Sequence, residues 1–327
     1  MATLNHLYDI WSNISHIVAG PETRLWPLYL VATVFIGYAI YHHRKIKQPF
    51  LSWLLPKSIY RHPSTLVDLK VFMVNRLLTG IGFFNLAFLN THIAMQMAAA
   101  PGPNQDVYLH PLVQAIALLL VADLATYIVH RVHHENRILW PFHSLHHSAE
   151  VLNPITVYRK HPVYDLIASI NKGVLIGIFQ GIVHLALQIP ADYAMILGIN
   201  VGYFLFNMIG SNFRHSHIWL SYGRTLEHIF ISPAQHQIHH SINPRHFNKN
   251  YGEVFAIWDW LFNTLYIPPE REELKFGLAN SAGISLNQRH SNLTAALIIP
   301  LRDSYKQLKQ IRIKILRLHF SSGKKSN

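Results

Sequence analysis

Residues 130–147 read His130-Arg131-Val132-His133-His134-Glu135-Asn136-Arg137-Ile138-Leu139-Trp140-Pro141-Phe142-His143-Ser144-Leu145-His146-His147, and ninety-odd residues later the pattern returns as His236-Gln237-Ile238-His239-His240. Each cluster places histidines at i, i+3 and i+4, positions that share one side of a helix, so each can aim two or three imidazoles at a common point. Such spacing is what a multi-ligand metal site requires. The eight residues between His134 and His143 leave room for one short turn, which folds the second helix back against the first.

The surrounding sequence sets these helices in a membrane. Half of the 327 residues are hydrophobic and only 13% are charged, against about 25% in an ordinary soluble domain. Apolar spans are expected at Leu25–Tyr41, Val71–Met97, Leu112–Val129, Leu166–Leu187 and Ala191–Ile209, each near the length a bilayer needs. The fold expected is all-α, a polytopic bundle of four to five spans with a histidine-rich helical cap. Three stretches follow: membrane spans over 1–110, a catalytic domain over 111–268, and a polar loop and basic tail over 269–327.

Basic residues orient the bundle. Arg44, Lys45, Lys47, Lys57, Arg61 and Lys70 crowd the connection after the first span, whereas residues 98–110 and the turn near Gln188–Pro190 carry no Lys or Arg. The positive-inside bias makes the first connection cytoplasmic. Counting spans from there puts all three clusters on that same side. The net charge of +12 is assigned to anionic lipid headgroups rather than nucleic acid, because the cations sit beside apolar segments and in the tail. Over Leu301–Phe320 the residues Leu308, Ile311, Ile315 and Leu318 share a face opposite Lys306, Lys309, Arg312 and Arg317, an amphipathic helix suited to a lipid surface. The first 24 residues lack the pattern of a cleavable signal.

There are no cysteines, so thiolate zinc sites, iron–sulfur clusters and disulfides are excluded and any metal sits on N and O ligands. Eight or more ligands exceed the three or four protein ligands of one zinc and point to two ions. No Glu-x-x-His pair lies near the clusters, and no His-Glu-x-x-His sequence is present. Asp123 and Tyr127 fall on the face of His130. A carboxylate at that depth is costly, so Asp123 is expected either to orient a ligand imidazole or to pair with another helix. Glu135 is expected to orient a ligand or to be solvated, and His133, His161, His217 and His246 are weighed as donors around the site.

Together with Phe213-Arg214-His215-Ser216-His217, Asn250-Tyr251-Gly252 and Trp258-Asp259, the boxes resemble the fatty acid hydroxylase/sterol desaturase superfamily in order and spacing over about Asp123 to Tyr266. The Leu139-Trp140 pair and the Arg159/His161-Pro162 stretch resemble it too, and the His-Arg-x-x-His-Glu form of the first box resembles the alkylglycerol monooxygenase branch. Asn263 stands where the family commonly has Gly. The resemblance implies a non-haem di-iron oxygenase of membrane lipids, acting at the cytoplasmic face of an endoplasmic reticulum or bacterial inner membrane. Its ligands would be His130, His134, His143, His146, His147, His236, His239 and His240, with His215 a further candidate. Zinc or another divalent ion could replace iron on isolation. No His-Pro-Gly-Gly sequence of a fused cytochrome b5 domain is present. Two electrons would then come from a separate cytochrome b5-like or ferredoxin-like protein or from a reduced pterin. The rival readings are a metal-handling membrane protein and a membrane zinc hydrolase.

Overall fold

A computed structural model describes residues 15–21, 23–83, 110–187 and 193–322. The elements that place the clusters are α1 (Pro27–His43), α2 (Pro63–Gly80), α3 (Pro111–Glu135), α4 (Trp140–His147), α5 (Pro162–Leu187), α6 (Tyr193–Met208), α7 (Pro233–His239), α8 (Ile257–Leu261) and α9 (Leu293–Ser322). Among the described residues there is no β-strand, only isolated bridges such as Phe230 with Phe255. The all-α expectation holds. Proline stands at the first or second position of six of these nine helices, where its missing N–H costs nothing.

α3 is the central element and packs against both α5 and α6. The close approach of α6 depends on Gly202, where a Cβ would run into the Leu119 side chain. One window among the described residues, Ala115–Glu135 with mean hydropathy 1.7, is long and apolar enough to cross a membrane. The other expected spans have helices in place, with shifted ends: α2 begins at Pro63 rather than Val71. The rest of that span, from residue 84 to Met97, and the turn near Gln188–Pro190 lie outside the described residues.

The tail differs from expectation. The helix starts at Leu293 rather than Leu301 and carries Pro300 inside it. Proline normally marks a first turn, but Asn292 Oδ1 accepts from Ala295 N–H at 2.9 Å and caps the helix upstream. Leu293 and Ala296 then pack on Leu145 of α4 and on Val67 and Val71 of α2. The tail helix thus backs the helix that carries the second histidine cluster.

Candidate metal centre

The three clusters converge, and they do so as two adjacent groups. His130, His134, His143, His147 and His239 form one, and His146, His215, His236 and His240 the other; within each, the nearest ring nitrogens all lie within 4.8 Å of one another. The groups are neighbours across the His147 and His240 rings, stacked with centroids 4.5 Å apart. The expectation that each cluster aims at a single point gives way to a split. On α4, His143 and His147 face the first group while His146 faces the second; on α7, His236 and His240 face the second while His239 faces the first.

Local structure fixes these directions. Asn136 stops α3 and turns the chain: its Oδ1 accepts from Ile138 N–H at 2.8 Å and from Leu139 N–H at 3.2 Å. α7 has only seven residues, too few to persist alone, and a capping box holds it. Ser232 Oγ accepts from Gln235 N–H, and Gln235 Oε1 accepts from Ser232 N–H at 2.9 Å. At the end of α4, Arg159 Nε donates to the Leu145 carbonyl at 2.9 Å, a cation at a helix C-terminus. The same guanidinium pairs with Asp68 at 2.8 Å, and both side chains are fully buried.

The nitrogens fit metal ions. His143 Nε2 lies 3.1 Å from His130 Nε2 and 3.2 Å from His147 Nε2. In the other group His236 Nε2 lies 3.1 Å from His215 Nε2 and 3.2 Å from His240 Nε2, and His215 Nε2 lies 3.3 Å from His146 Nε2. Metal–nitrogen bonds of about 2.1 Å put neighbouring donors roughly 3.0 Å apart at right angles and roughly 3.4 Å apart at the tetrahedral angle. His134 Nε2 and His239 Nε2 are buried without a hydrogen-bond partner. Buried imidazole nitrogens left unsatisfied cost free energy unless something else takes their lone pairs.

Two of the rings are held by backbone carbonyls of one loop. His130 Nδ1 bonds the Tyr251 carbonyl at 2.7 Å and His239 Nδ1 the Lys249 carbonyl at 2.8 Å. A carbonyl can only accept, so each Nδ1 carries the proton and each Nε2 presents its lone pair inward. At His236 the ring nitrogen that faces away from the group, Nδ1, lies 2.8 Å from Arg214 Nη2. Burial, with the neighbouring imidazoles next in order, holds His143, His146, His147 and His215 well below the ordinary histidine range, and burial followed by the Arg214 charge does the same at His236. Burial likewise pulls His239 down to about 4, against the Lys249 carbonyl that favours the proton. Neutral imidazoles are the form that binds metal.

The loop itself hangs on two buried carboxylates. Asp259 accepts from Tyr251 N–H at 2.8 Å, Gly252 N–H at 2.7 Å and Thr264 Oγ1 at 2.6 Å. Asp123 accepts from Val254 N–H, Phe255 N–H and the Trp258 indole at 2.9, 3.0 and 3.1 Å. Its hydrogen bonds therefore go to the loop rather than to an imidazole. Gly252 leaves room where a Cβ would meet the Phe255 carbonyl and Asp259. Asn250 and Asn263 take positive φ, 57° and 59°, the region Gly favours and Asn tolerates. The Asn263 departure thus preserves the backbone that a glycine would adopt.

The remaining expected residues sit elsewhere. Glu135 pairs with Arg131 at 2.9 Å on the α3 surface. His133 bonds the Val129 carbonyl, packs on Tyr164 and belongs to neither group. His161 bonds the Leu297 carbonyl, His217 the Trp53 carbonyl, and His246 pairs with Glu272. His62 and His110 cap α2 and α3. A recess of about 220 Å³ lined by His134, Trp140, His147, His239 and His240 opens onto the first group.

Residues 115–264 match the family model described as fatty acid hydroxylase. An alkylglycerol monooxygenase of Danio rerio is 32% identical over 164 residues, 50% of this chain and 32% of that protein. The ornithine lipid hydroxylase OlsE of Rhizobium tropici is 27% identical over 296 residues, 82% of each chain. A very-long-chain aldehyde decarbonylase of Oryza sativa subsp. indica is 26% identical over 152 residues, 46% of this chain and 54% of that one. The chain thus spans less than a third of the length of the alkylglycerol monooxygenase it matches. No solved structure gives a significant match. All nine grouped histidines fall inside the matched segment. Residues 115–264 are a fatty acid hydroxylase domain, related to the alkylglycerol monooxygenases as the form of the first histidine box implied.

Proposed function

We propose that this chain is an integral membrane non-haem di-iron oxygenase. It hydroxylates or desaturates a lipid such as a fatty acyl, alkyl-glycerol or sterol compound, using O2 and two electrons from a separate donor, with its site on the cytoplasmic side. The observation that carries the reading is the pair of adjacent all-imidazole groups, five histidines beside four. Five imidazoles exceed the usual coordination of zinc, and imidazole suits iron. The names of the relatives, monooxygenase and lipid hydroxylase, point the same way.

Two bound irons would supply the activation of O2 and the removal of hydrogen from an unactivated C–H bond. The chain's part is positional. Nine histidines would hold the ions, with the loop carbonyls of Lys249 and Tyr251 fixing the tautomers of His239 and His130. Burial keeps the imidazoles neutral, so loading needs few protons expelled. Tyr251, fully buried with its ring against His130, His134 and His239, walls the first group on one side and would keep water off it, which protects a reactive oxidant from side reactions.

The test is metal content and oxygen dependence together. Purified protein is expected to carry about two irons per chain, as two ligand groups require, and to consume O2 with a reductant. His147→Ala should lose both. Full iron loading and turnover in that variant, or equal product formation under strict anaerobiosis, would overturn the reading, the latter in favour of a hydrolase.

A further inference from the structure

Away from the recess over the first group, a polar pocket of about 270 Å³ lies between α2 and the start of α5, lined by Asn75, Arg76 and Thr79 on one side and Lys160, Asp165 and Ser169 on the other. Its polar groups are not spent on one another. Among the described residues neither Arg76, Lys160 nor Asp165 makes an ion pair within 4.0 Å. Asn75 is 2% exposed, and its amide donates to the Tyr158 and Lys160 carbonyls. Its Oδ1 and the Arg76 Nε are buried without a partner. Arg76 is positioned by the Ile17 carbonyl and by the faces of Phe72 and Tyr158.

The pocket adjoins the metal centre through one ring. Lys160 Nζ lies 5.6 Å from the centre of the Tyr164 ring, and that ring stacks on His143 at 4.8 Å and 21°. Two cations to one carboxylate leave the pocket net positive. Half-buried cations in excess of their carboxylate are costly, and an anion with several acceptor oxygens relieves that cost through charge-assisted hydrogen bonds. On α2 the apolar side chains of Met73, Leu77 and Ile81, on and just beyond the helix that carries Arg76, are exposed, as lipid contact would have it.

We propose that this pocket binds the anionic headgroup oxygens of the lipid substrate, a phosphate or a carboxylate, through Lys160 and Arg76. The proposal rests on the reading that the centre acts on a lipid, and it adds which end of the lipid is held. With the headgroup one aromatic ring away from His143, the carbon presented to the centre lies in the headgroup-proximal part of the chain, not at its methyl end.

Equilibrium binding to the full-length, detergent-solubilised protein tests it without O2 or reductant. The probes are hexadecyl phosphate, N-palmitoylglycine and the neutral 1-O-hexadecylglycerol. At least one anionic probe should bind tenfold or more tighter than the neutral one, and which of the two does so separates a phosphate from a carboxylate source. Lys160→Met and Arg76→Gln should each abolish that preference, and Lys160→Arg should retain it. Should Lys160→Met fail to fold, Ser169→Phe fills the same pocket and should lose the preference likewise. Equal binding of all three probes, or an unchanged preference in Lys160→Met and Ser169→Phe, overturns the proposal. An intact anion preference in a protein that never oxidises lipid would instead sink the oxygenase reading and leave this site standing.

Discussion

Asp259→Asn tests whether the loop at 249–252 sets the first histidine group. The carboxylate takes three donors, Tyr251 N–H, Gly252 N–H and Thr264 Oγ1. An asparagine of the same shape offers one acceptor oxygen, so Tyr251 and Thr264 can keep theirs while Gly252 N–H faces an NH2 group. Losing one charge-assisted bond and leaving its donor buried costs about 1.5 to 3 kcal/mol. Burial already lifts Asp259 to about 6, against its hydrogen bonds, so the neutral amide recovers part of the desolvation and the lower end is expected. The consequence for metal is larger than that for folding. Tyr251 and Lys249 supply the carbonyls that orient His130 and His239, both in the five-histidine group. The four-histidine group meets this loop through Arg214, which donates to the Gly252 and Glu253 carbonyls. Loss of such supporting contacts typically weakens a metal site 10- to 100-fold. Iron per chain, measured by elemental analysis along a chelator series, should fall to about half at a chelator strength where the wild type keeps its full complement. An identical chelation curve and an unchanged thermal midpoint would refute the claim that this loop holds the imidazoles.

Other outcomes follow from single contacts. Arg159→Met strands the buried Asp68 carboxylate and should cost about 3 to 5 kcal/mol, read as a lowered thermal midpoint, with Arg159→Lys failing to rescue because one ammonium cannot reach Leu145, Ser148 and Asp68 together. His133→Phe should keep full iron content, since His133 lies in neither group; a loss comparable to His147→Ala would put it among the ligands. Burial, then the charge of Arg159, holds His290 down at about 4, so the unfolded chain takes this proton first as pH falls. Its contribution is intact above the unfolded value of about 6.5 and is lost on the way down to 4, about 2 kcal/mol by pH 5. His290→Phe should therefore flatten the acid side of a stability profile, and an unchanged profile counts against it. Asn263→Gly should be neutral, whereas Asn263→Val should lower stability by roughly 1 to 2 kcal/mol, measured as a thermal midpoint shift.

What could be read from sequence and what could not divides along side chain and backbone. The helix around His130–His134 and the short turn after it follow from spacing, because i and i+4 share a face whatever the surroundings, whereas the joining of the third cluster to the first two was implied by the family resemblance. The partners of the imidazoles do not follow. Asp123 looked like an orienting carboxylate because it sits on the face of His130, yet its oxygens hold Val254, Phe255 and Trp258, and the orienting is done by the carbonyls of Lys249 and Tyr251, atoms that every residue possesses and no motif marks. The only trace in the sequence is indirect: Asn248 and Asn250, both at positive φ, flank the point where the backbone must turn its carbonyls inward. The late start expected for the tail helix has a similar origin, since the pattern of apolar and basic residues begins after Pro300 whereas packing of Leu293 and Ala296 on α4 and α2 carries the helix further upstream.

The geometry of a single turn accounts for the division into two centres. At about 100° per residue, i and i+4 differ by roughly 40°, whereas i+3 lies roughly 60° from i and 100° from i+4 on the other side. A His-x-x-His-His run therefore gives a pair and a third ring that diverges from it. Where two such helices face each other, as α4 and α7 do, each lends its pair to one centre and its odd ring to the other: His143 and His147 meet His239, and His236 and His240 meet His146. α3 follows the same rule, with His130 and His134 as its pair, but its odd ring, His133, turns toward Tyr164 and the Val129 carbonyl. The second centre is completed instead by His215, from the 3-10 turn Ser211–His215. The first centre thus collects five rings and the second four, and the asymmetry comes from which helix has a partner to face, not from a difference in the motifs themselves.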